Sequence, residues 1–578
     1  MDQAATSFPP AIAKPSFAEL FTPKLVTVLR EGYSVGRLRA DLLAGLTVAI
    51  VALPLSMAIA IASGTTPERG LFTAAVGGFI ISALGGSRFQ IGGPAAAFTV
   101  IVAGTVAQHG LDGLFLATMM AGVFLLAIGL LRLGSYVKFI PYPVTVGFIA
   151  GIALTLFAGQ ISDIFGLTLA GKEPADFLPK LAALWGARAT LNIAALAVAV
   201  LTVTIIALLR RYRPQWPSIL IGVVASALVV RLLNLPVETI GTRFGGIPST
   251  LPLPALPPLS WGKAIEVLPN ALSFTMLGAI ESLLSAMVAD GMTGRRHRSN
   301  MELVAQGLAN IAAPIFGGIC ATGTVARTAT NVRSGATSPI AGMAHAVFVV
   351  LFMLIAAPLA SYIPLAGLAG VLVVVCWTMA DKAEFATLLR SSRGDAVVLL
   401  ATFGLTVFVG LSVAIVVGFS LGALLFIHRM AQAAEIEEHL PPVEDDKADA
   451  PDPRRPYDPA MATDPDVAVY RITGAFFFGA TSTVGSVLDR IADRHRALVL
   501  DFAAVPFIDS TAANAVATVA RNARRAGGVV LISGASAPVH ALLAANGVEP
   551  PLVHYEDAIE VAFRVAHDLV GKKVAGSS

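Results

Sequence analysis

Residues 41–430 contain nearly all the long apolar runs of the chain, separated by polar breaks. A helix needs about 20 mainly apolar residues to cross the hydrocarbon layer, and each unpaired backbone group in lipid costs several kcal/mol, so such runs are expected to be helical. The pattern predicts fourteen membrane elements, centred on residues 41–63, 66–85, 94–108, 113–132, 141–165, 190–209, 216–233, 264–290, 300–318, 324–335, 338–359, 364–380, 394–411 and 412–428. The third (GGPAAAFTVIVAG) and the tenth (GTVARTATNVRSG) are too short or too polar to span the core and read as half-helices. Residues 431–466 are charged and Pro-rich, which reads as a linker with no core of its own. From 467 to 570 the strand-like VAVYRIT, AFFFGAT, ALVLDFAAV and GVVLISG alternate with the helical STVGSVLDRIADR, SAPVHALLAANG and YEDAIEVAFRVAHDLV. That alternation predicts a small α/β domain with helices on a mixed sheet.

Composition agrees: 56% of the 578 residues are hydrophobic and 13% charged, against about 25% charged in a soluble domain. A net charge of +3 with no basic run interleaved with aromatics points away from nucleic acid. The two cysteines, Cys320 and Cys376, lie in apolar segments without a CxxC or His pairing, so neither a metal site nor a disulfide framework is expected. Residues 1–40 lack a short apolar core followed by a small-residue cleavage site and read as an N-terminal arm rather than a removable signal. Lys and Arg near span ends favour the cytoplasm. That arm, Arg210-Arg211-Arg213 and Arg295-Arg296-Arg298 fall on one side if the elements alternate, with Arg132, Lys138, Lys382, Arg390, Arg393 and Arg429 in agreement. Both termini are expected inside, in a multi-pass protein of the cell (inner) membrane in contact with its lipid. Loops 166–189 and 248–261, the latter stiffened by proline, are expected outside.

Fourteen divides as seven plus seven, and the two half-helices occupy the same slot in each half. LGGSRFQIGGPAAA precedes the third element and FGGICATGTVARTA the tenth; both read Gly-Gly, a short extended stretch, then a half-helix. Gly85-Gly86 would match Gly317-Gly318, and Gly92 would match Gly323 with a gap of one residue. Interrupted segments at matching places in two inverted halves mark a transporter's binding site. A half-helix that begins in mid-membrane leaves its first N–H groups free and carries a partial positive charge, which favours anions. Pro94 opens one half-helix and Arg327 sits in the other. A charge at that depth costs at least ~2.5–3.5 kcal/mol and marks a functional site by default; the alternative is that Arg327 pairs with a carboxylate or caps carbonyls.

The segments DLLAGLTVAIVALPLSMAIAIASG, PERGLF, GGSRFQIGGPAAAF and VARTATNVRSGATSPIAG resemble the SulP family of sulfate permeases and related anion transporters, and residues 467–570 resemble the STAS domain shared with bacterial anti-sigma factor antagonists. The resemblance implies a seven-plus-seven inverted repeat with core and gate subdomains, elevator-type alternating access, a homodimer, and an anion held between the third and tenth helix starts. Carried onto this sequence, that site comprises Gly93, Pro94 and Ala95 with Thr324, Val325, Ala326 and Arg327. Leu55 and Ile59, after the helix-breaking Pro54, would face it. Some relatives have a polar residue where Leu55 stands and Ser where Ala326 stands, so the identity of the anion stays open. In the soluble tail Asp509-Ser510-Thr511 has N-cap composition, and Thr511 stands where the antagonists are phosphorylated, although Ala512 replaces the Gly expected next.

In the eighth span, LSFTMLGAIESLLSAMVADG, the only acidic residue remote from the ends is Glu281, with Ser285 one turn on. A lone carboxylate in such a setting can trade its proton, and in the resemblance Glu here goes with proton coupling and Asp with sodium. The expectation is an anion:proton symporter for sulfate, bicarbonate or a C4-dicarboxylate, with Glu281 and Ser285 as the coupling pair. A fixed Glu281–Arg327 ion pair is the competing reading, and Asp41 and Asp290 are expected at the interface. An uncoupled channel or exchanger would not need Glu281, and a nucleobase permease would lack a STAS tail. No Walker-type loop or Ser/His/Asp set suggests an enzyme, and no cofactor is expected.

Overall fold

The structure is a computed structural model that describes residues 17–134, 141–171, 173–174, 176–214, 216–433, 467–476 and 496–575. The chain forms two compact units, residues 1–137 with 156–375 and residues 138–155 with 376–578. Among the described residues seven helices are long and apolar enough to cross a bilayer, with Ser218–Leu232 and Val413–Phe426 as shorter apolar helices.

After the short helix Lys24–Arg30 come α1 (Val35–Ala62) and α2 (Pro67–Phe72), which runs through a π turn at Thr73–Gly77 into α3 (Gly78–Leu84). Strand β1 is only Gly92–Gly93, and a 3₁₀ turn at Ala96–Phe98 leads into α4 (Thr99–Leu130). The break expected between the third and fourth elements is at Gly110, whose φ of 70° and ψ of −173° leave the helical region inside α4; glycine takes that conformation without a Cβ penalty. Next come α5 (Tyr142–Phe165), α6 (Ile193–Tyr212), α7 (Ser218–Leu232), α8 (Trp261–Thr293) and α9 (Ser299–Ile315). The loop between α5 and α6 carries a helix of its own, Phe177–Gly186. Strand β2 (Thr322–Gly323) precedes α10 (Val325–Arg333). The nine residues of α10 rise about 14 Å at 1.5 Å each, under half of the ~30 Å hydrocarbon layer. Helices α11 (Ile340–Ala360), α12 (Leu365–Met379), α13 (Lys382–Ser391), α14 (Arg393–Phe408) and α15 (Leu411–Ala433) complete the apolar region.

In the tail, β3 (Val467–Thr473), β4 (Ala497–Ala504), β5 (Val529–Ser533) and β6 (His554–Glu556) form one sheet in that order. Its four described strands pair in parallel, and α16 (Ser510–Arg525) and α17 (Ala537–Ala545) supply the helical crossovers that the β4–β5 and β5–β6 pairs require. The expected strand AFFFGAT lies mostly outside the described residues. Helix α18 (Ile559–Ala575) closes the domain. The expected helix STVGSVLDRIADR and most of the expected linker lie outside the described residues.

Candidate functional site

The two short extended stretches predicted at matching slots meet each other. Strands β1 and β2 pair antiparallel, Gly92 opposite Gly323 and Gly93 opposite Thr322, and Thr324 N–H donates to the Ile91 carbonyl at 3.0 Å. Gly92 and Gly323, matched by analogy across the halves, are thus neighbours in space. The close approach demands glycine. A Cβ on Gly323 would fall 1.7 Å from Gln90 Nε2, and one on Gly93, where φ is +155°, would fall 2.2 Å from Arg327 Nη1.

This clasp sets the two helix starts. Ala95 precedes the 3₁₀ turn and Thr324 precedes α10; both are extended, and neither start is capped by a side chain. The Thr324 hydroxyl instead reaches back to the Ile91 carbonyl at 3.4 Å. First-turn amides therefore keep the partial positive charge that a capping oxygen would offset. Arg327, 1% exposed, donates from Nη2 to Ser56 Oγ at 3.1 Å and to the Pro94 carbonyl at 3.2 Å. Among the described residues its Nε and Nη1 have no hydrogen-bond partner, nor do the amide atoms of the neighbouring Gln90. One guanidinium thus bridges the second half-helix, the entry to the first, and α1.

Gly93, Pro94 and Ala95 lie together at the first helix start, and Thr324, Val325, Ala326 and Arg327 at the second. Leu55 and Ile59 are buried in an apolar cluster with Leu71, Phe72 and Ala74, against which Ala96 packs. Between them stands Ser56, which sequence reasoning passed over and which makes the contact with Arg327; its signal was a lone hydroxyl just beyond Pro54. Ser285 donates to Thr328 Oγ1 at 3.0 Å, and Thr328 Oγ1 also accepts from Ile91 N–H at 3.1 Å, which ties α8 to α10 and the clasp. Glu281 is half-buried in α8. No ion pair joins it to Arg327 among the described residues, so the fixed pair is not formed.

Helix α9 contributes residues the sequence reading missed. Glu302, Gln306 and Asn310 recur at every fourth position, so they share one face, and all three are buried. Glu302 accepts from the N–H groups of Gly86 and Ser87 at 2.9 and 3.1 Å and from Gln306 Nε2 at 3.1 Å. Asn310 donates to the Ala321 carbonyl at 2.7 Å and accepts from Ala321 N–H at 2.9 Å. One helix face therefore fastens the approach to both strands of the clasp. The spacing in ELVAQGLAN was visible; its targets were not.

Asp41, expected at the interface, is fully buried. It accepts from Tyr33 Oη at 2.7 Å, from Thr337 N–H at 2.5 Å, from Ser338 N–H at 3.1 Å and from both their hydroxyls, so it pins the loop after α10 to the start of α1. Burial, and then the Asp41 bond, push the Tyr33 phenol up to about 12. In the tail Asp509 accepts from Ala512 N–H at 2.8 Å and caps α16. Ser510 is buried, and Thr511 is half-buried beside it.

Comparison with known proteins agrees with this architecture. Residues 38–402 match the sulfate permease family and residues 458–560 the STAS domain. YvdB of Bacillus subtilis, described as a candidate sulfate transporter, is 40% identical over 522 residues, covering 90% of this chain and 95% of its own length. The bicarbonate transporter BicA of Picosynechococcus is 30% identical over 495 residues, covering 83% and 85%. The solved transmembrane domain of a cyanobacterial BicA superposes with a TM-score of 0.59 at 32% identity, over 67% of this chain and 98% of that one. Murine Slc26a9, an anion transporter solved in an inward-facing state, shares the fold with a TM-score of 0.66 at 18% identity, over 97% of both chains.

Proposed function

The chain belongs to the sulfate permease family, and on that premise we propose that it is a secondary active transporter that carries a small oxyanion together with a proton. The observation that carries the reading is the sealed Arg327 guanidinium between two uncapped helix starts. A buried cation with no carboxylate partner is unfavourable unless something compensates it. An anion entering between Gly93–Ala95 and Thr324–Arg327 supplies that compensation and accepts from first-turn amides. A cation is excluded by the same field. Relatives named for sulfate and for bicarbonate transport support the substrate class, and C4-dicarboxylates stay within it.

Glu281 serves as the proton carrier in this scheme, since its carboxylate is not committed to Arg327, while Ser285 links its helix to α10. Two-fold related halves arranged as seven plus seven, movement of the clasp region as one body in an elevator cycle, a homodimer in the inner membrane and both termini in the cytoplasm complete the proposal.

The test is uptake of labelled sulfate, bicarbonate and succinate into proteoliposomes, with and without a pH gradient and with sodium replaced by potassium. Accumulation above equilibrium driven by an inward proton gradient supports symport. Uptake of an anion that never exceeds equilibrium under any gradient identifies an uncoupled channel or exchanger, and no anion uptake at all overturns the reading.

A further inference from the structure

The second compact unit contains a contact that anion binding does not use. Ser510, first residue of α16, donates to Asp395 Oδ2 at 2.7 Å, and Ser391 Oγ lies 3.1 Å from Ser510 Oγ. Asp395 sits in the first turn of α14, where its own N–H donates to Ser392 Oγ at 3.1 Å. One carboxylate therefore stands at two helix N-termini, each of which favours negative charge. The place is nearly dry: Asp395 is 8% exposed and Ser510 2%, and the adjoining cavity of about 30 Å³, lined by Pro141, Val398, Phe507 and Thr511 among others, has room for a water or two. Packing behind Asp395 is close. A Cβ on Gly147 of α5 would fall 2.5 Å from the Leu399 carbonyl, and one on Gly151 would fall 2.6 Å from Thr406 Cβ.

We propose that the start of α16 is a permanent docking seat for the start of α14, through which the STAS domain clamps α14 and its partner α5 into one body that does not come apart during transport. A contact meant to open each cycle is expected to be wet and weakly bonded; here a buried carboxylate is held by a buried hydroxyl, and opening would break that bond in a nearly dry place. The proposal rests on the transport reading only for its functional consequence, because the seat itself has a readout of its own.

The experiment uses the full-length protein in proteoliposomes. Ser510→Val removes the donor at nearly constant volume; hydrogen exchange at residues 393–398 is expected to rise about tenfold and anion uptake to fall at least about fivefold. In a second variant carrying Ser391→Cys and Ser510→Cys, oxidation is expected to form the cross-link and to return uptake to within about twofold of the parent, with reduction lowering it again. The proposal is overturned if the cross-link does not form, if exchange at 393–398 is unchanged in Ser510→Val, or if cross-linking abolishes uptake, which would mean that the seat must open. A parent protein that moves no anion would sink the transport reading and leave the seat to be decided by exchange and cross-linking alone.

Discussion

Replacing Gly93 by Ala tests whether the position of one guanidinium governs anion binding. The new methyl would lie 2.2 Å from Arg327 Nη1, so to reach the 3.4 Å of an ordinary contact the guanidinium must retreat by about 1.2 Å. Its two hydrogen bonds, 3.1 Å to Ser56 and 3.2 Å to the Pro94 carbonyl, cannot both survive such a shift. Hydrogen bonds to charged groups contribute about 1.5–3 kcal/mol each, so the loss is bounded near 3–6 kcal/mol. Since about 1.4 kcal/mol is tenfold in affinity, even a fraction of that reaching the anion raises the half-saturating concentration for uptake at least about tenfold. The φ of +155° at Gly93 adds strain, so melting of the purified protein is followed in parallel. Gly323→Ala is the control: its methyl displaces the neutral Gln90 amide instead of a charge, and its binding defect is expected to be smaller at comparable loss of stability. A Gly93→Ala protein that folds and takes up anion with half-saturation within twofold of the parent would refute the reasoning.

Glu281→Gln is expected to abolish accumulation driven by a proton gradient while leaving counterflow exchange of anion largely intact, and retained proton-driven accumulation removes Glu281 from the mechanism. Glu302→Ala strands the N–H groups of Gly86 and Ser87, a buried loss of about 1–3 kcal/mol for each unsatisfied group, which a clear drop in melting temperature reports. Lys24 is held down to about 8 by burial, then by Arg298 and Arg88. Because its folded value lies below the ordinary lysine value of 10.5, the unfolded chain binds more protons between about pH 8 and 10.5, and stability there rises with pH. Protease protection of the segment around Lys24 is expected to improve over that window, and Lys24→Met to abolish the trend.

The half-helices were legible before any coordinates because their evidence is local. In lipid an apolar run has no alternative to helix, so segments too short or too polar to span, such as GTVARTATNVRSG, declare themselves by length. The Asp509 cap was equally local, three residues from the amide it accepts. Leu55 and Ile59 were singled out from position after Pro54, yet Ser56 makes the contact, since which face of α1 meets α10 depends on packing between helices 271 residues apart. The polar face of α9 could be read as a face, but not as the fastening of loops that begin more than 200 residues upstream. Sequence therefore determined which segments are apolar helices, that a break falls near Gly110 and which residues carry charge, all properties of a few neighbouring residues. Only tertiary structure decided that Gly92 faces Gly323, that Arg327 reaches Pro94 and that Glu281 is left unpaired with it, because those depend on how distant segments close on one another.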